Sequence, residues 1–406
     1  MLKIIKTGVV VLACGLLSWL LPWLLAFMTA SPSWHPFTLY SCIVHSFAQL
    51  DYDCHGKVFG RDFNGNRYTE RQIDSIMPLF YYRQLAAEGR FPSEIEGVKV
   101  TPQDAERTGF IFRTTPSEIN RPRTGLYQIL ESHPRRLEFE SPTDVFRITG
   151  HAMEFVDMAT NTVNADKSRR FTAALQEAGF RFPARLVSGN ASTQKEYDNG
   201  YFLKDDSGQI FHLLQIDGQP QVRRIALPDS LEITHIFVTE FADRRHLAFM
   251  SDSQRRFHAL RAGDYSLHEV SVEPFDAAND ALMIIGDMFY WTVTLQRDHD
   301  ERLMAINARD YSLVDSYTPP AETTTAERVG KYLFPTALSF TSAKDAFVRP
   351  RLAPYSPHAL WLGAVLAAVY AFVHRRRFAR HAMPTAGILL LGFYLFLPLL
   401  LLGHRK

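Results

Sequence analysis

Apolar and polar positions set the two ends of this chain apart from its middle. From Thr7 to Met28 runs "TGVVVLACGLLSWLLPWLLAFM", 22 residues without a charge. At about 1.5 Å per residue this length crosses a hydrocarbon core of about 30 Å. Two further apolar runs, 355–373 and 384–403, flank the basic segment "HRRRFARHAM" at 374–383. The pattern predicts three transmembrane helices, one N-terminal and two C-terminal. Two other readings of the first run are weaker. "VLAC", ending at Cys14, resembles a lipoprotein signal but is followed by apolar residues rather than a polar tether. "FMTAS" is a loose signal-peptidase site, but the apolar run exceeds the 7 to 15 residues or so of a signal core.

The middle divides in two by periodicity. Residues 29–190 mix helical and strand patterns, predicting an α+β region. Thr69 and Gln72 have capping-box spacing ahead of a run with apolar residues at Ile73, Ile76, Met77, Phe80 and Leu85. Pro78 should split this helix and Gly89 end it. A second helix is expected from an N-cap at Ser168 to a stop at Gly179. Strands are expected at 109–115, 136–141 and 151–158.

Residues 191–354 read as strand and turn throughout, and they repeat. "AGDYSLHEVSV" at 262–272 and "ARDYSLVDSYT" at 308–318 align with an offset of 46, and "IDGQPQVRRIAL" at 216–227 fills the matching place one unit earlier. A period of about 40 to 50 residues with about four strands is the signature of propeller blades. The expected class is therefore an α+β extracytoplasmic domain with a β-rich, propeller-like half. A stacked open array of sheets is the alternative.

Charge supplies orientation. All 43 Asp and Glu and 36 of the 44 Lys and Arg fall within 29–354, about seven net negative charges. The remaining basic residues cluster beside the apolar runs. Lys and Arg near span ends favour the cytoplasmic side. The loop 374–383 and the N-terminal segment 1–6 are thus expected inside, and the acidic middle outside, the bacterial inner membrane. No basic face suggests nucleic acid.

The stretches "GNRYTERQIDSIMPLFYYRQLAAEGRFPSEIEG", "KSRRFTAALQEAGFRFPA" and "DNGYFLKDDSGQIFHLLQIDGQP" resemble the bacterial family described as domain of unknown function 4857, over about residues 56–320. The resemblance implies a membrane-anchored envelope protein associated with ABC-type transporters and carries over no catalytic residue.

Chemistry is sparse. "HAME" at 151–154 lacks the second histidine of a zinc helix, and "RDFNGNRYTE" at 61–70 misses calcium-loop spacing. No phosphate loop or Gly-x-Ser-x-Gly elbow is present. His212 and His258, in the equivalent strands "IFHL" and "RFHAL", either line a central channel or are ordinary half-exposed strand residues; His268 also lies in the repeats, and His235 and His246 flank an expected strand. One cluster stands out: Cys42, His45, Cys54 and His55. Outside the cytoplasm Cys42 and Cys54 are expected to form a disulfide, a transition-metal site and free or partner-linked thiols being the alternatives. Covalent haem attachment would need a different spacing. Gly363, Ala364, Ala367, Ala368 and Ala371 form a small-residue face for helix packing. The expected role is a non-enzymatic accessory or substrate-handling subunit of an ABC-type transport or envelope complex, with no cofactor and with the bilayer and a membrane protein as partners. The rival is an envelope metal- or haem-handling protein using the Cys/His cluster.

Overall fold

The computed structural model describes residues 2–30, 37–52, 56, 58–135, 138–228, 230–297, 300–320, 323–354 and 356–403. Two compact units result, one of 36–319 and one joining 1–35 to 320–406.

The larger unit is built on four antiparallel meanders. The first sheet comprises Thr38–Ser41, Ser46–Tyr52, Val58–Asp62 and Arg67–Thr69. The second comprises Leu186–Gly189, Tyr201–Lys204, Ile210–Ile216 and Gln219–Ile225, and the third Ile233–Val238, His246–Asp252, Phe257–Arg261 and Leu267–Val270. In the fourth, Ala281–Gly286, Tyr290–Arg297, Asp300–Asn307 and Leu313–Tyr317 gain a fifth strand, Phe110–Thr114, paired antiparallel to Ala281–Gly286. The 46-residue repeat is thus real: its three copies end in the last strands of the second, third and fourth sheets.

Face-to-face packing orders these sheets. Phe202 and Ile210 of the second meet Ile236, Ala248 and Met250 of the third. Phe249 and Phe257 of the third meet Trp291, Val293 and Met304 of the fourth. Leu303 and Ala305 of the fourth meet Tyr40 and Phe47 of the first. The last sheet in the chain therefore packs on the first. Burial on both faces explains a strand such as His246–Asp252, buried at all seven positions, whose sequence does not alternate. On its other face the second sheet packs through Tyr201, Leu203 and Phe211 against the hairpin Asp144–Ile148/Met153–Asp157 and the helix Ala165–Glu177, using Phe146, Phe155 and Phe171.

Local signals hold with two corrections. The Thr69 N–H donates to Gln72 Oε1 at 2.9 Å, opening the helix Glu70–Ile76. Around Pro78 the chain breaks and resumes as Tyr82–Ala87, and Gly89 follows with φ +66°. The second helix starts before Ser168, because Asn164 Oδ1 takes the Lys167 N–H at 3.0 Å. Ser168 lies inside it, its hydroxyl bonded to the Asn164 carbonyl and accepting from the Phe155 N–H. The strand expected at 136–141 is also absent: 138–140 form no strand, and Arg136 and Leu137 lie outside the described residues.

In the smaller unit, the helix Leu2–Met28 contains Ile4–Met28, apolar and long enough to cross a membrane. The second apolar run forms Ala359–Val373, whose 15 residues reach only about 22 Å. The third is divided into Phe378–Leu391 and Phe393–Gly403 at Gly392, whose φ of +54° breaks the helix. Among the described residues one helix, not three, therefore has the length and composition of a span.

Candidate functional site

The strand Thr38–Ser41 ends in a tight turn that carries two members of the Cys/His cluster. Ser41 Oγ accepts the N–H groups of Ile43 and Val44, both at 3.1 Å, which holds the turn. Cys42 points inward, buried with Leu79, Ile95, Val100, Ala105 and Phe289. Burial, with Asp287 and Glu96 nearby, pushes its thiol well above the usual range. His45 points outward at φ +48°, its side chain 59% exposed and its Nδ1 3.7 Å from Glu96 Oε1. The cluster is therefore split between core and surface. Cys42 is a free thiol among the described residues, and the expected pairing with Cys54 falls on a residue outside them. Cys54 and His55 lie outside the described residues. Among the described residues no group of three or more His, Cys, Asp or Glu is arranged to hold a metal ion.

Beside this turn a cavity of about 450 Å³ opens where the first and fourth sheets meet the helix Pro102–Thr108 and the added strand Phe110–Thr114. Leu39, Leu79, Phe80, Phe110, Ile111 and Ile285 give it apolar walls, and Tyr40, Tyr82 and Tyr290 add aromatic ones. Two acids line it, Glu106 and Asp287. Such a mix of apolar wall and a few convergent polar groups is the usual make-up of a small-molecule site.

The polar groups are unequally committed. The Tyr82 hydroxyl donates to Glu106 Oε1 at 3.1 Å, and Arg83 Nη2 donates to the same oxygen at 3.0 Å. The Tyr290 hydroxyl donates to Glu96 Oε1 at 2.6 Å. Thr292 Oγ1 accepts the Tyr40 N–H at 2.8 Å. Among the described residues Asp287 accepts through Oδ1 alone, from the N–H groups of Phe289 at 2.7 Å and Tyr290 at 2.9 Å. Burial pushes its carboxyl up to about 6, against those two N–H bonds, and Glu96 adds to the rise. No Lys or Arg pairs with Asp287 among the described residues.

Sequence reading missed this site because its residues come from positions 39–111 and 285–292, joined only by the packing of the first sheet on the fourth. Only "GDMFYW" at 286–291, an acid ahead of three aromatic residues, could have drawn attention.

The repeat histidines are packing elements rather than channel lining. His212 Nε2 meets the Asn199 carbonyl at 2.7 Å, Nδ1 meets the Tyr265 hydroxyl at 2.8 Å, and the ring stacks on Phe202. His246 Nε2 lies 2.9 Å from the Tyr311 hydroxyl, and His258 Nε2 lies 3.1 Å from Asp252 Oδ2. His268 Nε2 meets Ser266 Oγ, and His235 meets Thr234 and Ser251. "RDFNGNRYTE" is a hairpin turn, with Asp62 accepting from Asn66 and Tyr68.

The small-residue face also splits. Gly363 is packed so closely on the helix Phe378–Leu391 that an added Cβ would lie 2.3 Å from the Leu389 carbonyl oxygen, and Ala367 is buried with Ile388. Ala364 and Ala368 are exposed, and Ala371 is half-buried.

The family model described as "Domain of unknown function (DUF4857)" matches residues 37–306. No curated protein matches the chain. Similar solved structures include the β-propeller domain of Cps50 (Swd1) from Myceliophteria thermophila, at 10% identity, TM-score 0.23, covering 72% of this chain and 88% of that one. The WD40 domain of SCAP from fission yeast is 11% identical with TM-score 0.26, covering 71% of this chain, which spans about half (53%) of that structure.

Proposed function

The chain belongs to the family domain of unknown function 4857, and from that premise we propose that it is a membrane-anchored, non-enzymatic accessory or substrate-handling subunit of an ABC-type transport or envelope complex. The sheet-built unit lies outside the cytoplasm and the helices of the smaller unit hold it to the inner membrane, with the N-terminus and the loop 374–383 inside, the short helix Ala359–Val373 crossing by local thinning of the bilayer. The observation that carries this reading is the outer row on the helix Ala359–Val373. Gly363 and Ala367 are consumed by packing within the chain, whereas Ala364 and Ala368 stay exposed beside Val365 and Phe372. Small exposed residues on an apolar helix allow a second helix to approach closely. One anchor suffices to tether a domain, so additional apolar helices with an unoccupied small-residue row suit a membrane-protein partner.

The test is co-purification from mild detergent. Replacing Ala364 and Ala368 together by Leu keeps the segment apolar and should leave membrane insertion intact while the partner is lost. Recovery of an unchanged complex would count against the reading.

A further inference from the structure

We propose that the cavity between the first and fourth sheets binds an organic cation: a protonated amine carried on a flat apolar body, with Asp287 as its counter-ion. This deepens the substrate-handling part of the reading above and rests on it.

Walls of Leu39, Leu79, Phe110 and Ile285 select an apolar body, and about 450 Å³ is room for one of small-molecule size. The hydroxyls of Tyr82 and Tyr290 already donate to Glu106 and Glu96, so what these tyrosines offer a ligand is ring rather than hydrogen bond. Tyr40 lies against Tyr290 with ring centroids 5.0 Å apart. Electron-rich ring faces attract cations and not anions.

Charge points the same way. Glu106 is paired by Arg83, which leaves Asp287 as the lining carboxylate without a cation. Its Oδ1 serves two backbone N–H groups, while Oδ2 has no hydrogen-bond partner among the described residues. A charge held in a partly desolvated site without a partner is costly, and a cation arriving with its own apolar body removes that cost. A neutral ligand of the same shape would gain only the wall contacts. An anionic one would meet repulsion from Asp287.

The test uses the full chain in detergent micelles at pH 7.5 and three probes of one shape: 1-naphthylmethylamine, 1-naphthalenemethanol and 1-naphthoate. Binding is followed by saturation-transfer NMR with empty micelles subtracted. The amine should bind about tenfold or more tighter than the alcohol, the gain of one partly desolvated ion pair, and the naphthoate weakest. Asp287→Asn keeps an acceptor for the two N–H groups but removes the charge, so it should bring the amine down to the level of the alcohol. A wild type that binds all three alike, or an Asp287→Asn protein that keeps the amine preference, would overturn the proposal. Should that variant fail to fold, Ile111→Arg decides the matter, because Ile111 is 65% exposed at the cavity wall. A rival cation there should abolish the amine preference, and an unchanged preference overturns the proposal. Loss of the membrane partner in the Ala364/Ala368 variant with amine binding intact would separate failure of the complex from failure of the pocket.

Discussion

Lys195 shows at the scale of single residues what holds the second sheet to the third. Its Nζ lies 2.6 Å from Asp198 Oδ1 and 2.7 Å from Glu240 Oε1, all three side chains being about 5% exposed or less. Ser132 and the Gly200 N–H bond the second oxygen of Asp198, and the Asn199 N–H bonds Glu240. Burial nevertheless pushes the Glu240 carboxyl up, against the pull of Lys195. Removing the cation leaves two buried acids uncompensated, so Lys195→Met should cost about 3 to 5 kcal/mol in urea unfolding. A loss below about 1 kcal/mol would mean that the network is solvated. The histidines give a pH signature. Burial holds His212 down to about 4 and His246, with Arg245 and Arg261 adding to the effect, down to about 3, and His246 Nδ1 has no partner to receive a second N–H. With folded values below the unfolded 6.5, protonation favours the unfolded chain. Stability is then full above about 6.5 and falls as the pH drops toward 4, by about 3 kcal/mol per histidine. Asp287, raised to about 6, works in the opposite sense between about 4 and 6, where its deprotonation disfavours the fold. His246→Phe should flatten the slope of stability against pH between 6.5 and 4 by roughly half of the histidine contribution, and an unchanged slope would show His246 to be uninvolved.

Elements were legible where a local signal and the tertiary context agreed. Two of the three copies of the repeat are legible because they carry the same turn: Asp264 and Asp310 accept from the hydroxyls and N–H groups of Ser266 and Ser312, with Tyr265 and Tyr311 between them at φ +59° and +62°. A side chain that bonds two residues onward fixes a turn from sequence alone. Other elements depended on partners far away in sequence. "GFIFRTT" reads as a strand, but nothing in it names Ala281–Gly286 as its neighbour. Ser168 looks like a cap because it precedes the apolar face, whereas Asn164 does the capping. The cavity was illegible for the first of these reasons. The apolar helices offer a test at this scale. Gly363→Leu drives a side chain into the Leu389 carbonyl and should separate Ala359–Val373 from Phe378–Leu391, lowering the midpoint of thermal unfolding and exposing 374–383 to protease. Ala364→Leu alone should leave both unchanged, since Ala364 is exposed. Equal effects of the two would mean that the helix pair packs differently.

On the scale of the whole molecule, charge and apolar pattern together supply an address that the geometry of the large unit does not. If the acidic middle lies outside the cytoplasm, alkaline phosphatase fused after Thr318 should be active and after Arg380 inactive. The reverse pattern would remove the basis of the proposed role. The sheet order carries a different consequence, for the making of the protein. Tyr40 donates its N–H to Thr292 across 252 positions of sequence, and the Tyr40 and Phe47 cluster of the first sheet is completed by the fourth, whereas Leu39 and Ala48 are covered early by Ile73, Ile76 and Met77. At a synthesis rate of about 5 to 20 residues per second, that cluster waits on the order of 10 to 50 s for the residues that complete it. Throughout that interval Phe47 and Tyr40 lack the Leu303 and Ala305 contacts that bury them in the finished protein, an apolar surface of the kind that makes incomplete chains prone to aggregate.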